Sequence, residues 1–302
     1  MISKNQIKFI RQLEQKKFRK REGLFVAEGP KVVGDLMRRL QPRAIFATQE
    51  WLDNYNPSIV PIPAVAPIPA IAPIPAIAPT RSLSRSLSRS LSAQRDASLA
   101  DISHSSFLIP HFSIVNSSEL QRISFLQHPQ QVLALFPLPD PTVIPHSSFL
   151  IPHFSIALDG VQDPGNLGTI IRIADWFGID TIYCSPDTAD AYAPKVVQAT
   201  MGSLARVHII YTDLPALLDA LPPSYPVYGT LLDGRDIYAQ QLTPEGIIVM
   251  GNEGNGISAP VRQRVNRPLL IPCFRQGDSA ESLNVAVATA ITCSEFRRTQ
   301  AR

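Results

Sequence analysis

The sequence predicts an α/β protein in two parts: a smaller N-terminal α/β unit and a larger C-terminal domain built on a mainly parallel sheet. Three observations predict this. From about residue 154 onward, short apolar runs alternate with helical segments, the pattern of a parallel sheet covered on both faces. Residues 1–56 carry a helix, strand, helix, strand order of their own. Between these parts lie tandem repeats with no means of building a core. A length of 302 residues suits two domains, since one usually takes about 100 to 200 residues.

The N-terminal unit reads as a basic helix near residues 3–20, a strand in GLFVAEG, a helix in PKVVGDLMRRL and a strand in RAIFAT. It resumes after the repeats, with Ser118 placed as an N-cap and QQVLALF as another strand, so that the unit spans 1–140. The interruption covers about 57–114. Hexamers of the PIPAIA type recur from Pro61, RSLS is repeated three times from Arg81, and HSSFLIPHFSI occupies 104–114. Alternating proline keeps a backbone extended and removes amide donors, so these tracts read as an insertion tolerated in a surface loop. The same eleven-mer returns intact at 146–156, and 141–155 is assigned as the linker to the domain at 156–302.

In that domain SIALDG, TIYCSP, ARVHIIY, PVYGTLLD, GIIVMG and PLLIP read as strands. Helical segments fall between them, and a last helix follows in SLNVAVATAITCSEFRR. Ligands of such sheets bind at the carboxyl ends of the strands.

Composition narrows the functional classes. No run of about 18 uncharged apolar residues reads as a transmembrane helix, and the charged start MISKNQIKFIRQLEQKKFRKR is unlike a signal peptide, which places the protein in the cytoplasm. Cys184, Cys273 and Cys293 are odd in number and widely spaced, fitting reduced thiols packed in a core. Four of the six histidines lie in the duplicated eleven-mer, leaving His128 and His208, too few for a metal site or a histidine triad; no metal is expected. The net charge of +3 hides an asymmetry, because residues 1–50 hold 12 Lys and Arg against 5 Asp and Glu. Lys16, Lys17, Arg19, Lys20 and Arg21 stand almost consecutively beside Phe18, a density that suits a phosphate backbone.

Three segments sit where a parallel sheet puts its chemistry. In DGVQDPGNLGTIIR a strand ends and a helix opens near Asn166, with Gly168 and Arg172 four apart on one face. Taken alone, Asn166 reads as an N-cap and Arg172 as a surface charge. In IIVMGNEGNGIS a strand leads to a loop with Gly251, Gly254 and Gly256, where backbone amides can approach a ligand closely. Glu253 inside that loop would repel a phosphate, so an uncharged or cationic ligand fits better. In LLIPCFRQGDSAESLNVAVATAI a strand ending at Ile271 leads to Ser282, Leu283 and Asn284 at the start of the final helix.

This ordered set, Asn166-x-Gly168-x-x-x-Arg172, Gly251-Asn252-Glu253-Gly254-x-Gly256, and Ile271-Pro272 with Ser282-Leu283-Asn284, resembles the three motifs of the SpoU (TrmH-like) RNA 2′-O-ribose methyltransferases of the SPOUT superfamily. GLFVAEGPKVVGDL is similar to the auxiliary RNA-binding domain of that family. The resemblance implies a C-terminal trefoil knot, a homodimer and S-adenosylmethionine as cofactor. It also implies methyl transfer to a ribose 2′-hydroxyl of ribosomal or transfer RNA. By motif position Gly251, Gly256, Ile271 and Leu283, with Leu231 nearby, would contact the cofactor. Arg172, Asn166, Glu253, Ser282 and Asn284 would form the catalytic neighbourhood.

The role of the arginine is open to arithmetic. An ordinary guanidinium, with a pKa of about 13, is neutral near pH 7 only at a cost of roughly 8 kcal/mol. General base catalysis returns about 3 to 5 kcal/mol. Arg172 is therefore expected chiefly to clamp the target phosphate and stabilise a developing alkoxide, acting as a base only if desolvated. Two other readings stay open: a non-catalytic RNA-binding protein on the same scaffold, and base methylation of transfer RNA by a knotted enzyme.

Overall fold

The computed structural model describes residues 2–54, 111–139, 154–275, 277–278 and 281–300. The hexameric and RSLS repeats lie outside the described residues, as do 141–153 of the linker.

The N-terminal unit opens with α1 (Lys4–Gln12) and α2 (Lys16–Glu22). The sequence reads as one helix here, but the chain breaks at 13–15. Ser3 and Gln6 form a capping box at the start of α1, and Gly23 closes α2 in the left-handed conformation. Next come β1 (Leu24–Glu28), α3 (Pro30–Met37), β2 (Ala44–Ala47), α4 (Gln49–Asn54), β3 (His111–Ile114), α5 (Ser117–Ile123) and β4 (Val132–Pro137). The strands form a sheet in the order β1-β4-β2-β3. Burial of both sheet faces explains the unbroken apolar runs. Phe25, Ala27, Ile45 and Phe136 join the core shared with α3, while Leu24, Val26, Phe46 and Leu135 pack against Ile10, Leu13, Leu120 and Ile123.

Two expectations change here. Asn116, not Ser118, caps α5: its side chain accepts from the Glu119 amide while Glu119 bonds back to the Asn116 amide. Ser118 has Gln121 at the capping-box spacing, but it lies inside the first turn of α5, and it is Asn116, in the extended cap conformation, that pairs with Glu119. The tail of the assigned insertion is also part of the fold, because His111–Ile114 forms β3, parallel to β2. Its aromatic and β-branched residues suit an edge strand. The second copy behaves alike, with Phe154 and Ser155 opening the next strand two residues ahead of the assigned boundary.

The C-terminal sheet is wholly parallel, in the order β10-β8-β9-β5-β6-β7. Its elements are β5 (Phe154–Asp159), α6 (Pro164–Trp176), β6 (Thr181–Cys184), α7 (Pro194–Ala199), β7 (His208–Tyr211), α8 (Leu214–Asp219), β8 (Val227–Asp236), β9 (Gly246–Gly251), α9 (Ala259–Arg262), β10 (Arg267–Leu270) and α10 (Val285–Gln300). Strand β10 pairs with Tyr228 and Gly229, then with Arg235 and Asp236, so that 230–234 of β8 pass by without pairing to it.

The two parts share a core. The Phe25 and Tyr192 rings lie 5.2 Å apart, and Arg19 of α2 meets Asp190 at 2.5 Å. Cys184 and Cys293 are buried as expected, and burial pushes both thiols up, Cys293 to about 12. Cys273 departs from the expectation of core packing, for it is exposed in the loop after β10. Among the described residues no helix is long and apolar enough to cross a membrane, and no acidic, histidine or cysteine cluster is arranged to hold a metal.

Candidate active site

Strands β5, β9 and β8 are successive neighbours, with β10 at the edge, and the loops that leave their carboxyl ends carry the three motif segments. Asp163 caps α6, accepting from the Asn166 amide at 2.7 Å. Asn166 is therefore not the cap, and its side chain is left free for other contacts. Its Nδ2 donates to Glu253 Oε1 at 2.9 Å, and its Oδ1 accepts from Asn284 Nδ2 at 2.8 Å. One amide thus ties together three segments that the sequence separates widely. Asn284 in turn holds the first turn of α10 through its Oδ1, which accepts from the amides of Ala286 and Val287.

The glycine loop is fixed from below. Asn252 and Gly256 exchange backbone hydrogen bonds at 2.9 Å, closing the loop as a small bridge. Gly251 is required by that closure, since a Cβ on it would lie 2.3 Å from the Gly256 carbonyl carbon. Gly256 itself is left-handed, at φ +68°. The Asn252 side chain accepts from the Gly254 and Asn255 amides and donates to the Gly160 carbonyl at 2.7 Å. Buried Asp159, at the end of β5, accepts from the Ser258 amide at 2.7 Å. Sequence reasoning assigned no role to Asn252 or Asp159, although both stand at strand ends beside glycines.

Around this frame the exposed Ser282 and Leu283 precede α10, and Ile271 and Leu231 are half-buried. Leu283 is 49% exposed and Leu232 76%. Apolar side chains, backbone amides and one carboxylate at the ends of adjacent strands fit a ligand with an apolar body and positive charge.

Arg172 is not part of the Asn166 cluster. Six residues along α6 place it roughly 9 Å farther on and about 120° around the axis from Asn166. It lines a separate cleft of about 400 Å³ that also takes Lys31 from α3 and Trp176 and Arg206 from the C-terminal part. Among the described residues Arg172 has no hydrogen-bond or ion-pair partner. Gly168 serves the packing of α6 on α7, where a Cβ would meet that of Ala199 at 2.4 Å.

The basic cluster divides. Lys16, Lys17, Lys20 and Arg21 are exposed on α2, with Lys17 and Arg21 over the Phe18 ring. Arg19 is buried at 2% exposure, donating to the Leu13 and Glu14 carbonyls and pairing with Asp190. It is thus unavailable to RNA, because its charge is already satisfied inside the molecule.

Comparison with known proteins agrees with this frame. The profile of the SpoU rRNA Methylase family matches residues 153–294, and that of the MRM3-like substrate binding domain matches 4–65. The chain is 33% identical over 186 residues to the 23S rRNA (guanosine(2553)-2′-O)-methyltransferase RlmP of Bacillus subtilis, covering 61% of this chain and 71% of that protein. It is 33% identical over 147 residues to the 23S rRNA (guanosine-2′-O-)-methyltransferase RlmB of Neisseria meningitidis, covering 47% and 57%. A TrmH-family structure from Porphyromonas gingivalis superposes with a TM-score of 0.72 at 36% identity over 99% of both chains. The AdoMet-bound rRNA methyltransferase structure from Sinorhizobium meliloti does so at 0.70 and 25%, over 99% and 97%. With the parallel sheet, the glycine loop and the Asn166 junction all falling inside the matched region, this chain belongs to the SpoU rRNA methylase family.

Proposed function

We infer that the protein transfers a methyl group from S-adenosylmethionine to a ribose 2′-hydroxyl of RNA. The observation that carries this reading is the junction of Asn166, Glu253 and Asn284 on the rim of the glycine loop. When bound, S-adenosylmethionine supplies an electrophilic methyl group on a cationic sulfonium. Gly251, Gly256, Leu231, Ile271 and Leu283 would hold its apolar and polar parts, and the Glu253 carboxylate suits its positive charge. A sugar hydroxyl is a poor nucleophile, so the protein must orient it and stabilise its developing negative charge. Asn166, Asn284 and Ser282 offer the orienting polar groups. Arg172, exposed in the separate cleft and without a partner among the described residues, would clamp an RNA phosphate there rather than meet the hydroxyl that reacts beside the Asn166 junction.

Ribosomal RNA is the favoured substrate class, after the relatives' own names, and the compartment is the cytoplasm, where that RNA resides. The N-terminal unit, residues 1–140, would present the RNA through Lys16, Lys17, Lys20 and Arg21. The trefoil knot of the family would lie within this C-terminal domain. A homodimer, which the family resemblance implies, would be measurable by sedimentation.

The deciding experiment incubates the protein with labelled S-adenosylmethionine and deproteinised ribosomal and transfer RNA, then digests the RNA to nucleosides. Label on 2′-O-methyl nucleosides is expected; label on a base would replace ribose by base methylation. RNA binding without any cofactor binding by calorimetry would leave only a binding protein. Arg172→Ala should weaken RNA binding and Arg172→Lys restore part of it. Unchanged RNA affinity, with single-turnover rate lost in both variants and a shifted pH profile, would make Arg172 the base instead.

A further inference from the structure

The solvent-facing stripe of α6 runs through Thr169, Arg172 and Trp176 at helical spacing, away from the Asn166 junction. Trp176 ends it with 85% of its surface exposed, an unusual place for an indole, whereas Trp51 is buried at 5%. The ring stands in the cleft with Lys31 and Arg172. Not every cation there is free. Arg206 grips Asp175 through bonds of 2.7–3.0 Å and lies near Asp35, and these partners spend its charge inside the protein. Lys31 touches Asp35 only at 3.4 Å and is 64% exposed, and Arg172 has no partner among the described residues. A flat, exposed aromatic one turn from an unpaired guanidinium, with a second cation across the cleft, complements a nucleotide: base on the indole, phosphates on the cations.

We propose that Trp176 is the stacking platform for an unpaired base flanking the target ribose, with Lys31 and Arg172 taking its phosphates. The site joins the N-terminal unit to the catalytic domain, so RNA held there would be placed by both. A base must be unstacked from its neighbours to lie on the ring, which directs the enzyme to loops and single strands over continuous duplex. The proposal rests on the reading of the protein as an RNA methyltransferase and adds a position-determining residue to it.

The test uses the full chain and its two tryptophans. Acrylamide should quench the exposed Trp176 readily in the free protein, and short oligoadenylate or oligouridylate should both quench and shield it, while duplex RNA of equal length should not. Trp176→Ala should weaken binding of single-stranded RNA by about fivefold to a hundredfold, and Trp176→Phe should stay within a few-fold of the original. Affinity for S-adenosylmethionine, read by calorimetry, should be unchanged in both variants. If the original protein binds cofactor and methylates RNA but Trp176→Ala binds RNA equally well, or Trp176 stays open to acrylamide in the complex, the platform is wrong and the methyltransferase reading stands. A shielded Trp176 before RNA is added, with a dimer that dissociates in Trp176→Ala, would assign the ring to an interface between copies and overturn the proposal. Absence of both cofactor and RNA binding in the original protein would overturn both.

Discussion

Asn284 Nδ2 donates to Asn166 Oδ1 at 2.8 Å, while the Oδ1 of the same Asn284 caps α10. One side chain therefore performs two tasks that substitution can separate. Aspartate caps helices as well as asparagine does, but it has no hydrogen to give Asn166. Asn284→Asp should keep the melting temperature near the original and lose most methyl transfer, whereas Asn284→Ala should also lose about 1 kcal/mol of stability. Single-turnover methylation at the original rate in Asn284→Asp would show that the junction has no part in the chemistry.

The buried and exposed halves of the basic cluster predict opposite phenotypes. Arg19→Ala removes one partner of a buried pair and leaves the Leu13 and Glu14 carbonyls without their donor, at a cost of roughly 3 to 5 kcal/mol. Lys17→Ala and Lys20→Ala should fall within about 0.5 kcal/mol of the original in stability. Each should instead flatten the salt dependence of RNA binding, by about 0.7 to 0.9 in the log–log slope for every phosphate no longer neutralised. Denaturation and salt titrations of the same variants check both halves, and equal stability of Arg19→Ala and Lys20→Ala would contradict the assignment.

Much of this architecture was legible because its signals are local. The alternation of β5 to β10 with helices, and the strand-end positions of the three motifs, follow from apolar periodicity, and the structure reproduces them. What escaped depends on the third dimension. Nothing near Arg19 in the chain announces Asp190, 171 residues away, so a buried anchor was grouped with its solvated neighbours. The HFSI of the first eleven-mer was obscured by its repeat-rich surroundings, although its FSI becomes a strand in both copies. Arg172 and Asn166 share a motif, yet helical rotation turns them to different faces. That rotation was calculable from their spacing of six; the cleft it leads to was not, because Lys31 and Arg206 come from distant segments.

Two glycines in helices should respond oppositely to alanine. Gly34 in α3 has nothing within 4 Å of where a Cβ would stand, so Gly34→Ala should raise stability by about 0.5 to 1 kcal/mol through helix propensity. Gly168 faces the Ala199 Cβ at 2.4 Å and the Val196 carbonyl oxygen at 3.0 Å. Gly168→Ala should force α6 from α7 and cost about 1 to 3 kcal/mol, despite the better propensity of alanine. Thermal melting of the pair is decisive, and a stabilised Gly168→Ala would mean that the two helices separate freely.

Glu28, 5% exposed at the end of β1, accepts from Ser124 Oγ at 2.5 Å and from the Phe125 amide at 2.7 Å. Burial raises its pKa, outweighing these hydrogen bonds and the charge of Arg11, which favour the carboxylate. The native state then keeps the proton to a higher pH than the unfolded chain, whose carboxyl titrates near 4.3. Stability from this group is fully present below the unfolded value and is lost as pH rises through the raised folded one. Glu28→Gln removes the titration while its amide can still serve both partners, accepting from Phe125 and donating to the serine oxygen. The stability of the original protein relative to Glu28→Gln should therefore fall with pH across the acid window and level off above it. Glu28→Ala, which leaves the Phe125 amide unsatisfied, should be less stable than either by about 1 to 3 kcal/mol. Melting curves collected from acid to neutral pH give the sign directly, and a difference that rises with pH would mean that Arg11, rather than burial, governs the group.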